Sequence, residues 1–273
     1  LNSEAIISVN HLEARYEESI VLNDVTFDVL DGEILGILGG SGCGKTTLLR
    51  HMVGLLRPFA GSVVIDGVDI TACDSDRFQQ TLRKIGVLFQ SAALFGSMTL
   101  VENVILPLSE YSDLSPLATE TMARMKLELV GLAGYENHLP SELSGGMKKR
   151  AGLARALALN PKILFLDEPS AGLDPIISAE IDDLIVHINR TNATTIIIVT
   201  HELDSVFNVA KRVIMLDKSV KGIRAEGDPH RLRDFSPDPI VRQFFLRKSL
   251  RPDPPIVKDR PITPPKVIPD GRL

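Results

Sequence analysis

The sequence predicts an α/β fold, with a mainly parallel core sheet, an antiparallel β region at the amino end and a helical subdomain set into the chain. Three observations lead there. Short, near-continuous apolar runs at 34–38, 85–89, 163–166 and 195–199 have the pattern of strands buried on both faces. Helical stretches alternate with them. Just past each run stands a polar or glycine residue, namely Gly39, Gln90, Asp167 and His201, which is how the ligand-binding edge of an open α/β sheet is built.

The elements follow in order. Ile6, Ile7 and Val9 mark one strand, and Val25, Phe27 and Val29, alternating with Thr26 and Asp28, mark another. Asp31-Gly32 is a turn, and the run at 34–38 leads through GGSGCGKTT into a helix over 48–56. Residues 61–67 add a short strand with turns at its ends. The texture then turns helical. Thr99 and Glu102 form a capping box, and Ser115-Pro116 supplies a cap and an N1 proline for a helix that ends at Gly131. A helix opening at Ser144 stops at Asn160-Pro161; a strand at 163–166, a helix begun by Asp174-Pro175, a strand at 195–199 and a last strand at 213–216 complete the pattern. From Arg251 onward seven of 23 residues are proline, too many to build a core. That stretch reads as a disordered tail or as an arm docking on a neighbouring subunit. With no internal repeat, one domain is expected over 4–245, with its helical subdomain at about 91–160 and a proline-rich tail over 246–273.

Composition narrows the function. Thirty basic against 35 acidic residues give a net charge of −5, which lacks the footprint of a nucleic-acid binder, so anionic ligands must be held locally. Cys43 and Cys73 have neither metal spacing nor a framework of pairs, which fits a reducing compartment. Glu4, His11 and Glu13 interrupt any apolar run at the amino end, so no secretory leader is expected, and the initial Leu1 points to a trimmed start. The longest uncharged stretch, 85–101, contains Gly86, Gln90 and Gly96 and falls short of the roughly 20 apolar residues a membrane span requires.

The chemistry is concentrated in a few motifs. Residues 39–46 fit G-x-x-x-x-G-K-[ST], in which Gly39, Gly40, Ser41, Gly42, Cys43 and Gly44 turn successive N–H groups toward phosphate oxygens. Lys45 would reach the β and γ phosphates and Thr46 a Mg²⁺ ion, with Thr47 following. Cys43 reads as a small loop residue, redox control being the alternative. Asp167 ends an apolar strand as a metal-side carboxylate should, and Glu168 is free to polarise a water, since adjacent residues on an extended chain face opposite ways. Gln90 is a neutral ligand for metal and water, and His201 a contact for the γ-phosphate. Tyr16 lies in a charged segment and is a candidate to stack on adenine. Ser144, Gly145 and Gly146 open a helix whose free N–H groups suit an anion. The following Lys148, Lys149 and Arg150 read as a solvated helix face rather than an anion site.

Together these motifs resemble the ATP-binding cassette (ABC) ATPases over residues 4 to about 245. GGSGCGKTT looks like the Walker A loop, Gln90 the Q-loop, LSGGM the signature, ILFLDE the Walker B strand, SAGLD with Asp174 the D-loop, and His201 the H-loop switch. Met147 departs from the commoner glutamine, but Ser144, Gly145 and Gly146 are intact. The resemblance implies a P-loop cassette with ATP and Mg²⁺ as cofactors. It also implies a head-to-tail pair of copies in which Ser144, Gly145 and Gly146 meet the partner's ATP, and an integral membrane permease that holds the pair on the cytoplasmic side of the inner membrane. Nucleic acid is not an expected partner. SGGMKKRAGLARALAL, EPSAGLDPI and SPDPIVRQFF are similar to the Mla/Mkl-type ATPases that energise bacterial phospholipid transport. That narrower likeness implies an MCE-domain protein and a STAS-domain protein as further partners. The rival readings are an amino-acid or other polar-solute importer, and a non-transport ABC ATPase such as a cell-division cassette.

Overall fold

The computed structural model describes residues 4–247, so nearly all of the proline-rich segment lies outside the described residues. β1 (Ala5–Tyr16) and β2 (Ser19–Leu30) form an antiparallel hairpin. β3 (Ile34–Gly39) leads into α1 (Lys45–Met52), then β4 (Ala60–Ile65) and the two-residue β5 (Val68–Asp69) return to the first sheet, in the order β2-β1-β4-β5. α1 begins three residues before the predicted start because Gly44, left-handed at φ 102°, turns the loop directly into the helix.

The second sheet holds β6 (Ile85–Leu88), β7 (Ile163–Asp167), β8 (Thr195–Val199), β9 (Arg212–Asp217) and β10 (Gly222–Gly227), in the order β10-β9-β3-β8-β7-β6. All its neighbours pair in parallel except β9 and β10. β10 is a correction to the reading of β9 as the last strand. Its GIRAEG sequence carries two charges and a glycine at each end, and only pairing with β9 at the sheet edge makes it a strand.

The apolar runs resolve into two faces. On β7, Ile163 and Phe165 enter one hydrophobic cluster while Leu164 and Leu166 enter another; on β8, Ile197 and Val199 oppose Ile196 and Ile198 in the same way. The first cluster lies between the two sheets and includes Leu48, Leu49 and Met52 of α1. The second is roofed by helices. Period-2 alternation in strands that are apolar on both sides is the requirement of a sheet covered on both faces.

α2 (Ser75–Leu82) precedes β6. Between β6 and β7 stand α3 (Leu100–Tyr111), α4 (Pro116–Leu129) and α5 (Gly145–Ala156). The Thr99 hydroxyl accepts from the Glu102 N–H at 3.3 Å, and the Glu102 carboxylate accepts from the Thr99 N–H at 2.7 Å, completing the predicted capping box. α4 is capped by Ser115 and ends just before Gly131. α5 ends at Ala156, short of the Asn160-Pro161 stop, because the chain turns through 157–159 to enter β7. α6 (Pro175–Asn192), α7 (Leu203–Val209), α8 (Pro229–Phe235) and α9 (Pro239–Phe245) are the remaining α-helices among the described residues. Among the described residues no helix is long and apolar enough to cross a membrane.

Candidate functional site

The glycine loop after β3 is tight. A β-carbon at Gly39 (φ 147°) would lie 2.4 Å from the Leu216 carbonyl oxygen and 2.5 Å from Cys43 Sγ, and one at Gly44 would lie 2.7 Å from Leu22 Cδ2. Any side chain at either position displaces the loop from its supports. Gly40, Ser41 and Gly42 form the exposed crest. No side chain caps α1, so its first N–H groups face the loop's concavity, where the helix dipole favours an anion. Lys45 Nζ stands over the loop, donating to the Gly39 and Gly40 carbonyls at 2.8 and 3.2 Å. The Tyr16 hydroxyl, at the end of β1, is 3.5 Å from Thr47 Oγ1, and its half-exposed ring stands at the rim. Cys43 points inward. Its thiol is buried beside Gly39 under the loop, and desolvation pushes its pKa up against the pull of Lys45, which disfavours the thiolate.

Thr46, Gln90 and Asp167 line one cleft of about 620 Å³, although 121 residues separate the first from the last. The Asp167 carboxyl is 6% exposed, and its Oδ1 is a buried oxygen with no hydrogen-bond partner. Its pKa is raised by desolvation and then by the charge of Glu168, against the pull of Lys149, Arg50 and Lys45. A hydroxyl, an amide oxygen and an unpartnered carboxylate oxygen form a hard-oxygen donor set, and these residues fit Mg²⁺.

Glu168 does not continue the strand. It is left-handed at φ 52°, with its N–H donating to the Val199 carbonyl at 2.8 Å, so the turn rather than strand alternation parts its carboxylate from that of Asp167. Thr200 Oγ1 donates to Glu168 Oε2 at 2.9 Å, and His201 Nδ1 lies 2.6 Å from Oε1. The imidazole is 56% exposed, with Nε2 3.5 Å from Glu202. Each carboxylate oxygen keeps a lone pair for a water.

Ser144, Gly145 and Gly146 do not line this cleft. They open α5, with Ser144 and Gly145 exposed and the Ser144 hydroxyl accepting from the Met147 N–H at 3.3 Å. Met147 packs beside the helical core, which accounts for an apolar residue where the motif has a polar one. Asp174 caps α6, accepting from the N–H groups of Ile176 and Ile177 at 3.1 Å.

The predicted solvated face at Lys148, Lys149 and Arg150 is corrected. Lys149 is 7% exposed; its Nζ donates to the Gln90 carbonyl at 2.5 Å and the Glu168 carbonyl at 2.7 Å. Desolvation lowers its pKa, opposed by Asp167 and Glu168. Arg150 is half-buried and spans from the Val130 carbonyl to Glu180. A run of three cations carries no sign of which one points inward, and Thr200, one residue before His201, was equally silent.

The family model described as "ABC transporter" matches residues 22–171. The chain is 42% identical over 246 residues to the "Probable ribonucleotide transport ATP-binding protein mkl" of Mycobacterium leprae, covering 90% of this chain and 70% of that one. It is 38% identical over 255 residues to the "Methionine import ATP-binding protein MetN" of Brucella abortus, covering 93% and 68%. Its fold is similar to that of the ATP-binding cassette MJ0796, solved as a dimer in a post-hydrolysis state with ADP and Pi, with a TM-score of 0.74 and 31% identity, covering 81% of this chain and 98% of that one.

Proposed function

This chain belongs to the ABC transporter family as an ATP-hydrolysing cassette, and on that premise we propose that it works as a head-to-tail pair driving a phospholipid permease. The convergence of Thr46, Gln90 and Asp167 in one cleft beside the buried Glu168 carries the catalytic half of the proposal. The loop N–H groups and Lys45 hold the ATP phosphates, and Tyr16 stacks on the base. Thr46, Gln90 and Asp167 hold Mg²⁺, which when bound neutralises charge on the β and γ phosphates. Glu168, its two oxygens fixed by Thr200 and His201, orients and polarises the attacking water. His201 turns its exposed Nε2 side to the γ-phosphate. Ser144, Gly145 and Gly146, outside their own cleft, serve the ATP of the second copy, and Asp174 lies at the seam between the two.

The cassette occupies 4–245, with the helical subdomain at about 91–160 and the tail at 246–273. A groove of about 1010 Å³ bordered by Phe78, Leu82, Phe95, Leu106 and Tyr111 reaches Phe89, next to Gln90, and gives the permease an apolar seat coupled to the site. The phospholipid cargo, the MCE-domain and STAS-domain partners and the position on the cytoplasmic side of the inner membrane rest on the likeness of SGGMKKRAGLARALAL, EPSAGLDPI and SPDPIVRQFF to Mla/Mkl-type ATPases. The likeness to a methionine import protein favours a second reading, a polar-solute importer. A detergent pull-down from native membranes separates them: an MCE protein beside the permease supports lipid transport, whereas a solute-binding protein overturns it.

A further inference from the structure

One face of α5 is built to touch the segment that carries Gln90. A β-carbon at Gly152 would lie 2.8 Å from Leu88 Cδ1, 3.0 Å from Ala92 Cβ and 3.2 Å from the Ala92 carbonyl oxygen, so the helix and the segment are in backbone contact there. Three residues further along the helix, Arg155 donates to the carbonyls of Ala92 and Ala93 at 3.0 and 2.9 Å, both of which are left-handed non-glycine residues. Three residues before Gly152, on the same face, Lys149 sends its ammonium inward to the carbonyls of Gln90 and Glu168.

Those two carbonyls lie just past the ends of adjacent strands, whose last ladder pair is Leu88 and Leu166. Where the sheet stops, nothing in the ladder sets the spacing of the two chains. The buried ammonium supplies that link with two charge-assisted hydrogen bonds. Lys149 also sits five residues, or about 7.5 Å of helix rise, from Ser144 at the head of the same helix.

We propose that Lys149 is a positioning residue, which sets the main chain of Gln90 and Glu168 and so ties the signature turn of α5 to the hydrolytic centre of its own subunit. The inference rests on the roles proposed above for Gln90 and Glu168.

The test is Lys149→Met and Lys149→Arg in the full chain, assayed in complex with its membrane partner for steady-state ATP hydrolysis, ATP affinity and thermal unfolding. Lys149→Met is expected to lower kcat about tenfold or more with KM for ATP within about twofold, and Lys149→Arg to recover most of the turnover. If Lys149→Met does not fold, Lys149→Gln replaces it, with the same expectation. Wild-type kcat in the neutral variant, a KM that rises as far as kcat falls, no recovery with arginine, or failure of both neutral variants to fold would overturn the proposal. Glu168→Gln, run alongside, must stop turnover; if it does not, the fault lies in the role given to Glu168 and not in Lys149.

Discussion

His201 Nδ1 lies 2.6 Å from Glu168 Oε1, so the two side chains just past the ends of neighbouring strands are direct partners. Glu168→Gln should lower kcat by about 10²- to 10³-fold while ATP still binds, and His201→Ala by about 10- to 10²-fold. The double variant should be little worse than Glu168→Gln alone, because residues that act together are not additive. Steady-state ATP hydrolysis with a parallel ATP-binding measurement checks all three. Additive losses would mean that the pair is a coincidence of packing.

The Asp167 carboxyl carries an unfavourable charge in the folded chain. Burial and Glu168 hold its pKa above its ordinary value, so the folded protein keeps this proton to a higher pH than the unfolded chain does. The cost is absent below the unfolded pKa and grows as pH rises through the folded one. At neutral pH, Asp167→Asn should therefore raise the unfolding temperature of metal-free protein and shrink the further rise that Mg²⁺ with ATP produces, leaving the part that the loop's grip on the nucleotide supplies. Thermal unfolding with and without Mg²⁺ and ATP reads both effects, and a metal-free variant that melts lower than the parent would contradict the first.

Ser144 is exposed at the head of α5 and outside its own cleft. Ser144→Arg should abolish hydrolysis in the pair while single chains still bind ATP with parental affinity. Mixed pairs with one Ser144→Arg subunit should lose about half of the turnover or more if each turn serves the opposite nucleotide. Mixed pairs with full activity would remove the head-to-tail arrangement.

Gly86 in β6 meets α5 backbone to backbone: a β-carbon there would stand 2.3 Å from the Ala156 carbonyl oxygen. Gly86→Ala should cost about 1–3 kcal/mol of stability by overpacking, measured by urea unfolding. It should also disturb the Gln90 segment, seen as a higher Mg²⁺ concentration for half-maximal activity. An unchanged urea midpoint would show that the contact yields freely.

The parts of this site that could be read in the sequence were those in which local chemistry and local geometry coincide. The glycine loop needs its φ values where its glycines stand, and the runs before Gln90, Asp167 and His201 end where strands end. What stayed hidden depends on long-range packing. Lys149 looked like its neighbours in the run of three cations because a lysine's direction is set by what the opposite element leaves open, here two carbonyls 59 and 19 residues away. Thr200 is an ordinary hydroxyl residue just past β8 until Glu168 folds back onto it. β10 exists only because β9 gives it an edge to pair with. The divergence of Asp167 from Glu168 was expected for the wrong reason, since a left-handed residue performs it.

β3 contributes Leu35 and Ile37 to the cluster between the sheets and Leu38 to the cluster under the helices. The strand that delivers the phosphate loop is therefore a shared wall, and neither half of the molecule can open without releasing it. Amide protons along β3 should exchange only through global unfolding, as slowly as any in the protein. A nucleotide bound at Gly39 to Thr46 should then raise the melting point of both sides of that wall at once, so that heat resistance would report the ligand as well as chemistry does.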